Sequence, residues 1–399
     1  MTGRLPKTAG DTSMKVALIR QTIRAGAGGA EGTVLGWARI LLEAGHEVHL
    51  IGRTIEEADL PPGAVAYRLR SPGGLSLIRA AGFARAVSWF LLKHRERFDI
   101  VHSFERTLGQ DIYRAGDGCH REWLAQRAKA ETPLKNLCIA ANPLHRYYLS
   151  IERKLFKTTP MIIANAELGR QEILRHYGVS PERVRVIYTG VDRHRFQPAN
   201  RERFRARVRR ELGVPASSPL VLFVGGGFKR KGLAAAIHAV ADLGAVEAWL
   251  VVAGRGETGP YQRVASERGV AGRVAFLGER PDVEALYGAA DLFCLPTLYD
   301  PCSNACLEAL SSGLPVVTSA ANGAIEAIVE GGNGLVVRDP LDRAEVANAV
   351  ERALALEPAS VFKVSDRTLG PYDWEQHRRA MLVCYEEVIA RKDGRRVAA

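Results

Sequence analysis

Short apolar runs rich in β-branched residues alternate with longer stretches of helical period along most of the chain. Residues 15–20 (KVALIR) read as a buried strand, 21–29 as a Gly-rich loop, and 30–44 as a helix with Val34, Ala38, Leu41 and Leu42 on one face. Gly45-His46 ends that helix, and residues 47–51 (EVHLI) open the next strand. Such a βαβ unit implies parallel strands joined by a right-handed crossover. Another strand is expected at 98–101. The pattern restarts at Leu220, with strands expected at 220–224, 249–253, 274–277, 292–295, 315–318 and 334–337. A loop spans 225–232, and helices fit at 233–243, 259–269, 282–288, 304–312, 323–329 and 342–355. Helices between parallel strands cover both faces of a sheet. The expected fold class is α/β, with two doubly wound parallel sheets in one chain.

Residues 14–190 are expected to form a first lobe and 191–370 a second. Residues 371–399 form a C-terminal helix that packs back on the first lobe, with Met381, Tyr385 and Val388 at helical spacing. The boundary falls between Gly190 and Pro219, in a stretch bearing Pro, Gly and Ser. It holds an Arg-rich helix at 201–211 (RERFRARVRRE), expected to be a solvated surface helix. A single aromatic, Phe204, stands among its arginines, short of the interleaved set that base stacking needs, so nucleic acid is not an expected partner. The 399 residues carry 55 Lys and Arg against 44 Asp and Glu, and this net charge of +11 favours an anionic partner. The six cysteines are scattered, which suits free thiols. The polar stretch before Met14 is not a secretory signal, and no apolar run is long enough to span a bilayer. A cytoplasmic location is expected.

In open parallel sheets, ligands bind beyond the carboxyl ends of the strands. Three loops there carry chemistry. The first, 26–31 (GAGGAE), lets backbone approach an anion through Gly28 and Gly29. It is not a clean G-x-G-x-x-G, and Gly52-Arg53 replaces the acid that would hold a dinucleotide ribose, so a dehydrogenase is disfavoured. The second, 225–232 (GGGFKRKG), sets Gly225 and its neighbours beside Arg230 and Lys231, a composition suited to a diphosphate. The third runs from Tyr299 to Glu308. Asp300 lies in its loop, Ser303, Asn304, Ala305 and Cys306 offer backbone amides, and Glu308 follows two helical turns after Asp300.

Taken jointly, these loops resemble family 4 glycosyltransferases of the GT-B fold, which have two facing Rossmann-like domains. The family's Arg/Lys pair matches Arg230 and Lys231, and its Glu-(x7)-Glu motif matches Asp300-(x7)-Glu308, with Asp in place of the first Glu. The run 313–319 (GLPVVTS) is also similar. Within the family, 224–232 (VGGGFKRKG) and 108–119 (LGQDIYRAGDGC) resemble the lipopolysaccharide core glucosyltransferase I subgroup, with Asp117 where many members carry His.

The resemblance implies a retaining transfer of a hexose, glucose, from UDP-glucose to a saccharide or lipid-linked acceptor. It implies no cofactor beyond the nucleotide sugar itself and no metal, since the chain has no Asp-x-Asp pair. Arg230 and Lys231 would stabilise the departing phosphate, Asp300 and the amides of 303–306 would hold the donor sugar, and Glu308 would hold the ribose. Arg280 would lie at the base, and Asp117 between sugar and acceptor. A non-catalytic nucleotide-sugar-binding protein or an epimerase of the same fold are the alternatives.

Residues 113–154 hold eight Lys or Arg against four acids, with Trp123, Tyr147, Tyr148 and Phe156 interleaved or adjacent. Either these aromatics are core, or the segment meets an anionic inner-membrane surface. His102 follows the expected strand at 98–101 and could face the cleft. Cys302 and Cys306 lie four apart, which does not by itself make a zinc site.

Overall fold

The computed structural model describes residues 13–24, 29–243 and 247–397. Its first sheet contains β1 (Lys15–Ile19), β3 (Glu47–Gly52), β5 (Val65–Arg68), β6 (Ile100–Ser103), β7 (Ile112–Arg114), β8 (Met161–Ala164) and β9 (Val184–Val186). Between them, β2 (Thr22–Ile23) and β4 (Thr54–Ile55) form a small parallel pair. The second sheet contains β10 (Leu220–Val224), β11 (Trp249–Ala253), β12 (Val274–Phe276), β13 (Leu292–Leu295), β14 (Val316–Ser319) and β15 (Gly334–Val337). The strand orders are β5-β3-β1-β6-β7-β8-β9 and β12-β11-β10-β13-β14-β15. All pairings are parallel, with Val16 opposite Val48 and Ile100, and Leu222 opposite Val251 and Phe293.

Both orders change direction beside their first strand, between β1 and β6 and between β10 and β13. Such switch points open a crevice at the carboxyl edge of a doubly wound sheet. The central strands are fully buried on both faces, which explains why they read as continuous apolar runs. Strands β7, β8 and β9 are short, three to four residues each, and were not evident as separate runs. Strand β6 begins two residues after the expected start at Phe98.

The helix Trp374–Val397 lays Met381, Tyr385 and Val388 into the core beneath β1, against Val34, Trp37, Ala38 and Leu41. Trp37 Nε1 donates to Tyr385 Oη at 2.7 Å. The same hydroxyl lies 2.8 Å from His102 Nδ1. His102 is thus inside β6 and fully buried, a bracket for the last helix rather than a cleft residue.

The Arg-rich helix, Asn200–Glu211, lies on the surface as expected, with Arg203, Arg207 and Arg210 exposed, but one of its faces is engaged. Arg201, Arg205 and Arg209 recur every four residues, so they share one face. All three pair with Asp291, at 2.8–3.1 Å. They also donate to the carbonyls of Ala289 or Ala290 at the end of helix Val283–Ala289. Arg209 is only 4% exposed. The segment between Tyr113 and Phe156 is buried at its two ends, while helix Pro133–Ala141 in its middle has no buried residue. Arg114 and Phe156 are buried, and Tyr148 packs on His120 and Arg106. No helix among the described residues is long and apolar enough to cross a membrane.

Candidate active site

A cleft of about 940 Å³ is lined by residues of both sheets' carboxyl edges. From the first lobe come Arg20, Phe104, Arg106, Asp117, His120 and Asn165, and from the second Gly225–Gly227, Arg230, Lys231, Arg280, Asp300 and Glu308.

The stretch after β10 is not the open loop its glycines suggested. Gly225 and Gly227 take positive φ, and Phe228–Lys231 forms a single helical turn. Phe228 anchors it in the core against Phe223 and Tyr261. Gly232, at φ +79°, closes it where a Cβ would stand 1.9 Å from the Pro296 carbonyl oxygen. The Arg230 carbonyl accepts from the Leu298 amide at 2.7 Å and the Thr297 hydroxyl at 2.9 Å. These bonds fasten the cationic turn to the end of β13.

The loop after β13 delivers Asp300. Its amide donates to the Ala321 carbonyl at 2.9 Å, and its Oδ1 accepts from the Cys302 amide at 3.3 Å. Lys231 Nζ pairs with Oδ2, and Arg230 Nη1 lies 3.6 Å from the same oxygen. Asp300 and Lys231 are nearly buried, while Arg230 is 37% exposed to the cleft. Glu308 lies in helix Asn304–Ser311, where Tyr287 Oη donates to it at 3.0 Å. Burial pushes the Glu308 carboxyl up, opposed by that hydrogen bond and by the charges of Arg195 and Lys231.

Two cations and two carboxylates thus converge where a diphosphate with attached hydroxylated groups would fit. Known proteins resemble this chain over most of its length. Residues 27–195 match the model for Glycosyltransferase Family 4, and residues 204–363 match that for Glycosyl transferases group 1. The chain belongs to the GT-B glycosyltransferases. Lipopolysaccharide glucosyltransferase WaaG of Escherichia coli (strain K12) is 28% identical over 267 residues, covering 65% of this chain and 69% of that protein. D-inositol 3-phosphate glycosyltransferase of Mycolicibacterium smegmatis is 27% identical over 431 residues, covering 98% and 96%. The crystal structure of WaaG, a glycosyltransferase involved in lipopolysaccharide biosynthesis, superposes with a TM-score of 0.78 at 24% identity, covering 94% of this chain and 99% of that one, and shows the shared fold.

In this GT-B glycosyltransferase the expected site residues divide into three groups. Arg230, Lys231, Asp300 and Glu308 come together as the motif spacing anticipated. Asp117 lines the first-lobe wall, about half exposed, with Arg106 Nη1 3.4 Å away. Arg280 lines the second-lobe wall and forks onto Asp282 at 2.8 Å. Gly28 falls outside the described residues, and Gly29 opens the helix Gly29–Glu43.

The amides of 303–306 are a partial correction. The Ser303 amide donates to Asn322 Oδ1 at 3.1 Å, and the Cys306 amide to the Ser303 carbonyl at 3.2 Å. Those two are spent inside the loop. Asn304 and Ala305 open the helix and line the cleft, where amides of a first turn face outward. Cys306 is fully buried behind the loop, its Sγ 3.3 Å from Asn322 Nδ2.

Sequence reasoning missed the bridges between lobes. Tyr299 reaches into the first lobe, where its hydroxyl donates to Glu172 at 2.6 Å and accepts from the Cys119 amide at 2.9 Å. A Cβ on Gly118 would stand 2.3 Å from that hydroxyl. Burial pushes the Glu172 carboxyl up to about 7. Lys229 pairs with Glu131 between the lobes at 2.5 Å, and Glu326 accepts from the Leu168 amide at 2.9 Å. No spacing rule foretells such pairs, because each joins residues more than 90 positions apart.

Proposed function

We propose that the chain transfers glucose from UDP-glucose, with retention at the anomeric carbon, to a saccharide or lipid-linked acceptor of the lipopolysaccharide-core kind. The observation that carries this reading is the convergence of Arg230, Lys231, Asp300 and Glu308 on one interlobe cleft. Transfer breaks the bond between the sugar C1 and the β-phosphate oxygen. Negative charge grows on that oxygen as positive charge grows on the ring. Arg230 and Lys231 stabilise the departing diphosphate, so the reading requires no metal. Asp300 and the Asn304 and Ala305 amides hold donor hydroxyls, Glu308 holds the ribose, and Arg280 borders the base. The acceptor hydroxyl approaches past Asp117 on the face the diphosphate leaves, and its proton passes to the departing phosphate oxygen. That path keeps the anomeric configuration without an enzymic nucleophile.

The name of the Escherichia coli relative supports glucose and the lipopolysaccharide acceptor. A peripheral site at the cytoplasmic membrane face belongs to the same reading. Helix Pro133–Ala141 supports it, exposing Leu134 and Leu137 beside Lys135.

Incubation with UDP-, GDP- and ADP-sugars, followed by product analysis, tests the proposal. Slow release of glucose from UDP-glucose, abolished by Lys231→Ala, is the expected result. Conversion to another UDP-hexose would identify an epimerase, and binding without any turnover a binding protein.

A further inference from the structure

The floor of the cleft holds a charged group that the transfer described above leaves unused. Arg114 ends β7, Asn165 follows β8, and Thr189 lies just beyond β9. These three strands are neighbours in the first sheet, so their carboxyl ends bring the three side chains together. All three residues line the cleft, opposite the donor-lobe loop that carries Asp300.

Arg114 is 4% exposed and donates through Nη2 to Thr189 Oγ1 at 2.8 Å. No carboxylate among the described residues forms an ion pair with it. The groups facing it are neutral at pH 7. Burial holds the Cys302 thiol and Tyr385 hydroxyl protonated, and burial keeps His102 and His377 uncharged. The guanidinium, pushed down to about 10 by the same burial, still keeps its charge. A buried charge with no counter-ion is costly, and an arriving anion removes that cost. Beside it, Asn165 is 8% exposed and its Oδ1 has no hydrogen-bond partner. The Thr189 hydroxyl accepts from Arg114, which leaves its own proton to donate.

We infer that Arg114, Thr189 and Asn165 form a subsite for an anionic group, carboxylate or phosphate, on a hydroxylated sugar. The guanidinium and the Thr189 hydroxyl take the anion, and Asn165 Oδ1 accepts from a neighbouring sugar hydroxyl. This deepens the proposed transferase reading and rests on it. The subsite lies on the first lobe yet faces Cys302 of the sugar loop. The anion therefore belongs either to the acceptor or to an acidic donor sugar.

Calorimetric titration of the full chain separates these sources. One arm compares UDP-glucuronate with UDP-glucose, and the other compares glucose 6-phosphate with glucose in the presence of UDP. In one arm the acid binds about ten- to hundredfold more tightly than its neutral counterpart, the range of a charge-assisted hydrogen-bonded contact. Arg114→Gln abolishes that preference and leaves the affinity for UDP within about threefold, while Arg114→Lys keeps only part of the preference. The inference is overturned if neither arm shows a preference in the unmodified chain, or if the preference survives Arg114→Gln. Failure of UDP itself to bind, with the acid preference intact, would sink the nucleotide-sugar reading and leave the subsite standing.

Discussion

Replacing Lys231 with Ala separates the stability of the cleft from its chemistry. The Lys231 and Asp300 side chains pair while 11% and 7% exposed. Truncation leaves Asp300 with Arg230 Nη1 at 3.6 Å and the Cys302 amide at 3.3 Å. Removing one partner of a buried pair costs about 3–5 kcal/mol, because the other charge stays buried. The remaining guanidinium and amide offset part of that, leaving about 2 kcal/mol. For a lobe of this size the loss lowers Tm by about 4–8 °C. The double variant Lys231→Ala/Asp300→Asn discharges the stranded carboxyl and regains at least half of that Tm. Its turnover stays depressed by about 10²–10³-fold, because a cation aimed at the leaving group is gone. Circular-dichroism melting beside UDP-glucose turnover reads both quantities. A single variant as stable as the parent refutes the buried-pair reasoning, and recovered turnover in the double variant refutes the role given to Lys231.

Other outcomes follow from the same contacts. Glu172 is 4% exposed, and burial lifts its carboxyl from 4.5 to about 7. A raised folded value stabilises below the unfolded one and is lost as pH climbs through 7, by about 3 kcal/mol at most. Tm should therefore fall between about pH 4.5 and 7, and Glu172→Gln should flatten the profile; a profile unaltered by this change contradicts the assignment. Asp291→Ala removes the carboxylate that the three arginines of helix Asn200–Glu211 share, leaving them the Ala289 and Ala290 carbonyls, and should cost about 2 kcal/mol in urea unfolding, whereas a loss below about 0.5 kcal/mol would mean those arginines act as solvated groups. Gly232→Ala forces a Cβ against the Pro296 carbonyl and shifts the Arg230–Lys231 turn. It should weaken UDP binding at least about tenfold, and unchanged affinity would show that the turn is not held from that side.

The long apolar strands and their crossover helices were legible because burial on both faces leaves a strong pattern. Residues 220–224, 249–253 and 292–295 carry it, and all three are strands as read. The motif residues Arg230, Lys231, Asp300 and Glu308 were legible because each sits in the loop or helix that follows a strong strand. The three-residue strands β7 and β9 were not, since so few positions give no period to detect. The glycines at 225–227 suggested an open loop, yet buried Phe228 pulls the following residues into a helical turn. The pairing of Arg201, Arg205 and Arg209 was hidden because their partner, Asp291, lies over 80 residues away. Tyr299, Glu172 and Arg114 escaped for the same reason: their roles arise only when two lobes, or three adjacent strands, bring distant residues face to face.

The central claim is that the cleft grips a diphosphate through the cationic turn after β10. A crystal structure of the chain with UDP tests it most directly. The account predicts diphosphate oxygens at about 2.7–3.2 Å from the side-chain nitrogens of Arg230 and Lys231, with ribose hydroxyls on Glu308. UDP bound elsewhere, or seated in the cleft with those cations turned away from its phosphates, would contradict it.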